Sequence, residues 1–180
     1  MIYILASVFN FGQLYRIRRE IITSIEQRFI DLEETHKCRL DTKRVKEGYF
    51  LFKPGSEEEN DPARIVDILR SMNAILADNK DELSGFNIMV SIMDEEDTSK
   101  VVSHLKNLLF LAEKNERILT TSREVSFFEG HVKFEKSGEL LAIMPQQERP
   151  HKAFSGDKGK WYREEVYQKL PRKAQSVRRG

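Results

Sequence analysis

Ile2-Tyr3-Ile4-Leu5-Ala6-Ser7-Val8-Phe9-Asn10-Phe11 opens the chain, and its reading decides the fold. Residues 2–9 are an apolar run of strand length, broken at Gly12. Such a run suits a central strand covered on both faces. From Leu14 the spacing turns helical, through Ile17, Ile21, Ile25 and Leu32, with Ile22 and Phe29 widening the stripe. Arg16, Arg18, Arg19, Glu26 and Arg28 fall on the opposite side, so this is an amphipathic helix packed on a sheet.

The same alternation of periods continues outward. Residues 36–43 and the run Tyr49–Phe52 read as two strands, the second ended by Pro54-Gly55. Ser56–Asn60 is an acidic loop. Asp61-Pro62 is a helix start, a capping side chain followed by proline at the first helical position. Ile65, Ile68, Leu69, Met72, Ile75 and Leu76 follow at helical spacing, and Gly85 ends that region. Phe86–Met93 is a buried strand. Asp97 and Thr98 cap a third helix marked by Val101, Val102, Leu105, Leu108, Leu109 and Ala112. Arg117–Thr121 is a short strand, and Val132–Phe134 pairs with Glu139–Met144 as a hairpin. The order β-α-β-β-α-β-α-β-β-β is an α/β (α+β) chain with a ferredoxin-like βαββαβ core and additional C-terminal strands. It predicts helices on one sheet face and a free face for a partner or ligand.

Composition narrows the class. The chain has 180 residues, 39% apolar and 33% charged, enough for one core under a charged surface. No apolar run approaches the roughly 20 residues that span a bilayer, and Met1 leads into a strand with no basic signal-peptide region. Cys38 is the only cysteine, which excludes an internal disulfide and a cysteine metal cluster and suggests a reducing cytoplasm. Charge is unevenly placed. Residues 151–180 hold nine Lys or Arg against three acids, so the overall +1 leaves −5 on residues 1–150. The expected division is a domain over 1–147 and a basic tail over 148–180, with a short helix at 161–170.

Leu5, Ala6, Val8, Phe9, Asn10 and Phe11 resemble the first strand and turn of the class III nucleotide cyclase homology domain. In that family the strand ends in Ala-Asp, and the Asp holds divalent metal; here the position is Ser7. A second motif places Gly-Asp before an apolar pair. Phe50 and Leu51 fit the pair, Gly48 takes the metal-binding Asp position, and Glu47 takes the glycine's place. A third motif sets Asn and Arg four residues apart on the third helix, before an Ile-Leu strand matched by Ile118-Leu119. Counting back, these fall at His104 and Leu108. The resemblance covers about residues 2–145 and keeps the apolar skeleton, while Ser7, Gly48, His104 and Leu108 all depart from the polar chemistry.

A serine hydroxyl is a poor substitute for a carboxylate on a hard cation, and leucine cannot donate to phosphate. Phosphoryl chemistry of this kind rests on metal and fixed positive charge. The resemblance therefore implies a non-catalytic regulatory or scaffolding domain. It implies pairing with a second copy or a related domain through the sheet face and the 132–144 hairpin, with no catalytic residues, no metal and no cofactor. Two other readings stand beside it. One is a divergent nucleotide-processing enzyme with a site rebuilt from Glu47, Asp94 and His104. The other is a nucleic-acid-binding module in residues 151–180, where Lys160, Trp161, Arg163, Lys169, Arg172 and Lys173 interleave cations with an aromatic. His36, His131 and His151 have no metal-ligand spacing. Cys38 reads as a small buried hydrophobe, and Asp94-Glu95-Glu96-Asp97 as a solvated loop at a helix start.

Overall fold

β1 (Ile2–Val8) is the middle of the structure, a computed structural model that describes residues 1–55 and 60–145. It pairs antiparallel on one side with β3 (Tyr49–Pro54) and on the other with β4 (Phe86–Ile92). β2 (Cys38–Leu40) lies outside β3. Beyond β4 come β5 (Arg117–Thr120), β7 (Leu140–Pro145) and β6 (Val132–Ser137), giving the order β2-β3-β1-β4-β5-β7-β6. A strand lies at each predicted place, but the one read over residues 36–43 is only Cys38–Leu40, because His36 still belongs to a helix and Thr42–Val45 form another.

The first expected helix is two, α1 (Phe11–Ile17) and α2 (Arg19–His36), broken at Arg18, whose backbone leaves the helical region at φ −135°, ψ 53°. A four-residue helix α3 (Thr42–Val45) precedes β3, capped by the Asp41 side chain. α4 (Pro62–Ala77) starts as read, with the Asp61 carboxylate accepting from the Ala63 N–H. α5 (Thr98–Leu109) is capped in the same way by Asp97. A 3-10 turn at Ser122–Glu124 and α6 (Val125–Phe128), not expected from the sequence, link β5 to β6.

Alternate residues of β1 feed two cores. Ile2, Ile4, Ala6 and Val8 enter the larger one, against α2, α4 and the Phe50 and Phe52 rings of β3. Phe29 of α2 meets both rings edge-on, with centroids 4.8 and 5.3 Å away. Each such fully buried ring contributes about 2–3 kcal/mol of transfer free energy. Tyr3 and Leu5 enter the second core, with Leu51, Met89, Leu119, Leu140 and the α5 residues Val101, Val102 and Leu105.

That second core corrects the expectation of a free sheet face. β3 and β4 run parallel, since both are antiparallel to β1 between them, and α4 joins them. β4 and β5 are also parallel, and α5 joins them. Both steps move the same way across the sheet, yet α4 packs in the first core and α5 in the second. The two crossovers therefore have opposite hands. The usual right-handed preference would have put every helix on one face. α2, α4 and Phe128 of α6 already fill that face, and the short stripe of α5 finds Tyr3, Leu5 and Met89 on the other.

Glu124 ties the far end of the sheet together. It is 1% exposed. Its carboxylate accepts from Ser91 Oγ at 2.8 Å, the Ile92 N–H at 3.1 Å, Thr120 Oγ1 at 3.3 Å, the Thr121 N–H at 3.1 Å and Thr121 Oγ1. These donors belong to β4, β5 and the 3-10 turn, where Thr121 and Glu124 form a reciprocal capping box. Cys38 is buried too, and its thiol donates to the Leu32 carbonyl. Burial, reinforced by the Glu33 carboxylate, pushes that thiol up to about 11. It is structural, as the sequence suggests.

Two outcomes follow from this packing. Glu124→Ala strands several buried donors and lowers unfolding free energy by about 3 kcal/mol, while Glu124→Gln costs less; chemical denaturation curves give both. The Cys38 thiol stays neutral, so a thiol reagent at pH 8 labels the native protein far more slowly than the denatured protein. The stability tied to that neutral thiol is full below the unfolded thiol's value and is lost as pH rises toward about 11. A Cys38→Ala chain lacks that part of the decline in a pH series of melting curves.

Candidate functional site

Where β1 ends, the sheet opens into a cleft of about 790 Å3. Ser7, Val8 and Phe9 form its floor. α1 contributes Phe11, Tyr15 and Arg16, the turn before β3 contributes Lys46, Glu47 and Gly48, and the end of α5 contributes Lys106, Leu109 and Phe110. Asn87 and Asn115 close the remaining side. This size lies within the ordinary range for small-molecule sites, about 300–1,000 Å3.

The strand register brings Ser7 and Gly48 to one cleft, as the sequence implies. Ser7 pairs with Tyr49, one residue after Gly48. Side chains alternate along a strand, so Ser7 follows Tyr3 and Leu5 onto the α5 side, where Tyr49 also packs. The side chain beside Ser7 is therefore that of Tyr49. Gly48 has φ +93°, and a Cβ there would stand 3.3 Å from the Phe11 ring. A side chain at position 48 would be strained and would press on Phe11 rather than stand beside Ser7.

Charge in the cleft is mainly positive. Lys106 holds its ammonium 4.6 Å from the centroid of the Tyr49 ring, a cation–π contact. Arg16 and Lys46 are exposed at the rim. Glu47, the one lining carboxylate among the described residues, is already engaged. Arg44 of α3 donates to both of its oxygens at 2.8 Å, and the guanidinium also reaches Thr98 Oγ1 at 3.2 Å and Ser99 Oγ at 2.8 Å. Its hydrogen bonds to the Glu47 carboxylate raise the Arg44 pKa further above its high ordinary value.

The other expected positions lie elsewhere. His104 is exposed on α5, and Leu108 is half-buried against the second core; neither lines the cleft. Asp94 follows the far end of β4, about 20 Å along the strand from Asn87, which pairs with Ser7. Glu47, Asp94 and His104 are thus not assembled into one site. Among the described residues no group of three His, Cys, Asp or Glu side chains is placed to hold a metal ion. Glu95 of the acidic loop accepts from the Asp97 N–H, which pulls its carboxyl below the usual range. Lys160, Trp161, Arg163, Lys169, Arg172 and Lys173 lie outside the described residues. Among the described residues no helix is long and apolar enough to cross a membrane. Sequence reasoning missed Tyr49 and Lys106. The pairing of Ser7 with its neighbour on β3, and the turn of about 100° from Leu105 to the next residue of α5, were the available signals.

Solved structures with the same arrangement of strands and helices identify the architecture. The dimeric guanylyl cyclase domain of the RhoGC fusion protein from Blastocladiella emersonii matches with a TM-score of 0.57 at 7% identity, over 81% of this chain and 94% of that one. The fold is that of a class III nucleotide cyclase domain. Adenylyl cyclase CyaB from P. aeruginosa matches with a TM-score of 0.55 at 7% identity, over 82% and 94% of the two chains. The guanylate cyclase domain of RhGC from Catenaria anguillulae, solved with GTP, gives 0.53 at 8% identity over 81% and 96%. No protein-family model matches the sequence, and no curated protein matches it. Identities this low carry the cyclase-type fold and leave the chemistry of the cleft to its own residues.

Those residues set a test. In Ser7→Asp/Tyr49→Asp the two carboxylates stand on one face of paired strands, about 5 Å apart at Cα, and calorimetry shows manganese binding. In Ser7→Asp/Gly48→Asp they do not, and the second change instead lowers the melting temperature through the strained backbone at position 48.

Proposed function

We propose that residues 1–147 form a non-catalytic regulatory or scaffolding domain of cyclase type, which acts by pairing with a second copy or a related domain. The observation that carries this reading is the pair at the cleft floor. Ser7 stands beside Tyr49, with the Lys106 ammonium over the ring. Metal-assisted phosphoryl transfer needs carboxylates there to hold a hard cation. The floor offers a hydroxyl, a phenol and a positive charge, and Glu47 is held by Arg44.

Pairing draws support from the surface. Phe110 is 83% exposed and Leu111 follows it at 40%, together at the end of α5 beside the cleft. Adjacent exposed apolar side chains of this size suit a protein partner. The similar RhoGC domain is described as dimeric. The outer strand β6 carries Lys133, Glu135 and Lys136, charges that discourage edge-to-edge sheet extension, so a partner is better served by the α5 end.

With ATP or GTP and manganese, the purified chain is expected to yield no cyclic nucleotide. Sedimentation velocity is expected to show dimers that increase with concentration, and Phe110→Glu to shift them toward monomer. Cyclic product above the enzyme-free blank overturns the non-catalytic reading, and a monomer at every concentration overturns pairing with a second copy.

A further inference from the structure

The two ends of the sheet differ in charge, and each carries ionised groups that the fold leaves unused. The loop after β4 reads Asp94-Glu95-Glu96-Asp97. Two of its carboxylates have structural duties. Asp97 accepts from the Ser99 N–H at 2.9 Å and caps α5, while Glu95 accepts from the Asp97 N–H at 3.0 Å and pairs with Lys100 at 3.4 Å. Asp94 and Glu96 are exposed and, among the described residues, have no hydrogen-bond or ion-pair partner. The loop itself is held in place. The Tyr3 hydroxyl donates to the Glu95 carbonyl at 2.5 Å, and the Met93 N–H to the Met1 carbonyl at 2.8 Å. Ile92, just before the loop, is 42% exposed. Arg123 stands on the neighbouring 3-10 turn, one exposed cation against two unpaired carboxylates.

About 20 Å away along β4, the other end presents the opposite sign. Arg16, Lys46 and Lys106 stand around the end of β1, brought there by α1, the turn before β3 and α5. Among the described residues no carboxylate pairs with any of them. Glu47 faces Arg44, whose side chain is 16% exposed, and Glu116 stands just before β5, two strands from β1. Phe110, at the end of α5, is 83% exposed beside these cations. Each end therefore combines unpaired charge with exposed apolar surface. The separation exceeds the Debye length of about 8 Å at physiological ionic strength, so the two ends do not satisfy one another within one molecule.

We propose that copies of this domain join head to tail, the Asp94 and Glu96 carboxylates of one copy meeting Arg16, Lys46 and Lys106 of the next, with Ile92 and Phe110 covered between them. The inference rests on the pairing reading above and gives that pairing its geometry. An interface between two different patches is heterologous. Each added copy leaves one acidic and one cationic end open, so the assembly grows instead of closing as a two-fold dimer. Opposite potentials speed the encounter and fix which ends meet, while like ends repel. The apolar side chains supply the burial that exposed ion pairs lack. The tethers from Tyr3 and Met1 hold the acidic loop before the partner arrives, which lowers the ordering cost of contact.

Sedimentation velocity of the full chain, over a concentration series in low and high salt, tests this. Species beyond the dimer are expected as concentration rises. They recede as salt is added and the Debye length falls to about 3 Å near 1 M. Arg16→Gln/Lys46→Gln and Asp94→Asn/Glu96→Gln each weaken association by about tenfold. Each variant keeps one intact end, so an equimolar mixture, with one variant fluorescently labelled, forms a one-to-one complex that stops at two copies. Melting curves confirm that both variants are folded. An assembly that stops at two in the unaltered chain overturns this proposal alone and leaves pairing in place. Association unchanged in Arg16→Gln/Lys46→Gln also overturns it, since other cations, such as those of residues 151–180, then meet the acidic loop. A mixture that gives no one-to-one complex does the same. A monomer at every concentration overturns the pairing reading along with it.

Discussion

The structure depends on a single strand being buried twice. β1 has hydrogen-bonded neighbours on both edges and a packed core on each face, so Ile2–Leu5 are buried, Tyr3, Ile4 and Leu5 completely. A strand in that position has no freedom of register. A slip of one residue would exchange Ile4 and Ala6 with Tyr3 and Leu5, sending a tyrosine into the space that faces Phe50 and an isoleucine toward α5. Because the register is fixed, the point at which the apolar run ends is fixed too. Ser7 is the first residue on its face with no helix above it, and the cleft begins there.

Much of the architecture was legible for this reason. An unbroken apolar run, helical stripes of 3.6 period and Asp caps before α4 and α5 are local signals, and each is satisfied locally. The face chosen by α5 was not legible, because no local signal carries it. Its stripe of Val101, Val102 and Leu105 would pack equally well on either side of a sheet. The choice was made by competition, since α2, α4 and Phe128 occupy the other side. The break at Arg18 escaped for a similar reason: the apolar spacing runs through it without a proline or glycine to mark it.

The cleft shows a different limit. Aligning motifs placed Ser7 and Gly48 together correctly, but the sequence does not say which way a residue faces at a turn. Gly48 adopts a positive φ at the turn, and it is Tyr49 that the register sets opposite Ser7 in the cleft. His104 and Leu108 were located by counting along a helix whose rotation about its axis is set by Val101, Val102 and Leu105. That rotation turns Lys106 and Leu109 toward the cleft instead. Side-chain direction is a tertiary property, and it decides here between a neutral site and a cationic one. Shared fold and divergent charge thus coexist in one chain, because the apolar alternation that builds the sheet is independent of what stands at its rim.

Gly48 also bears on how such a chain can change over generations. One base substitution turns some glycine codons into aspartate, so a carboxylate at this position is close at hand genetically. The backbone makes it remote physically, since the left-handed turn and the Phe11 ring behind it would both have to give way. A lineage carrying this turn is steered away from the shortest mutational route to an acidic pair and toward retouching its lysines, which behaves as a ratchet set by a single dihedral angle.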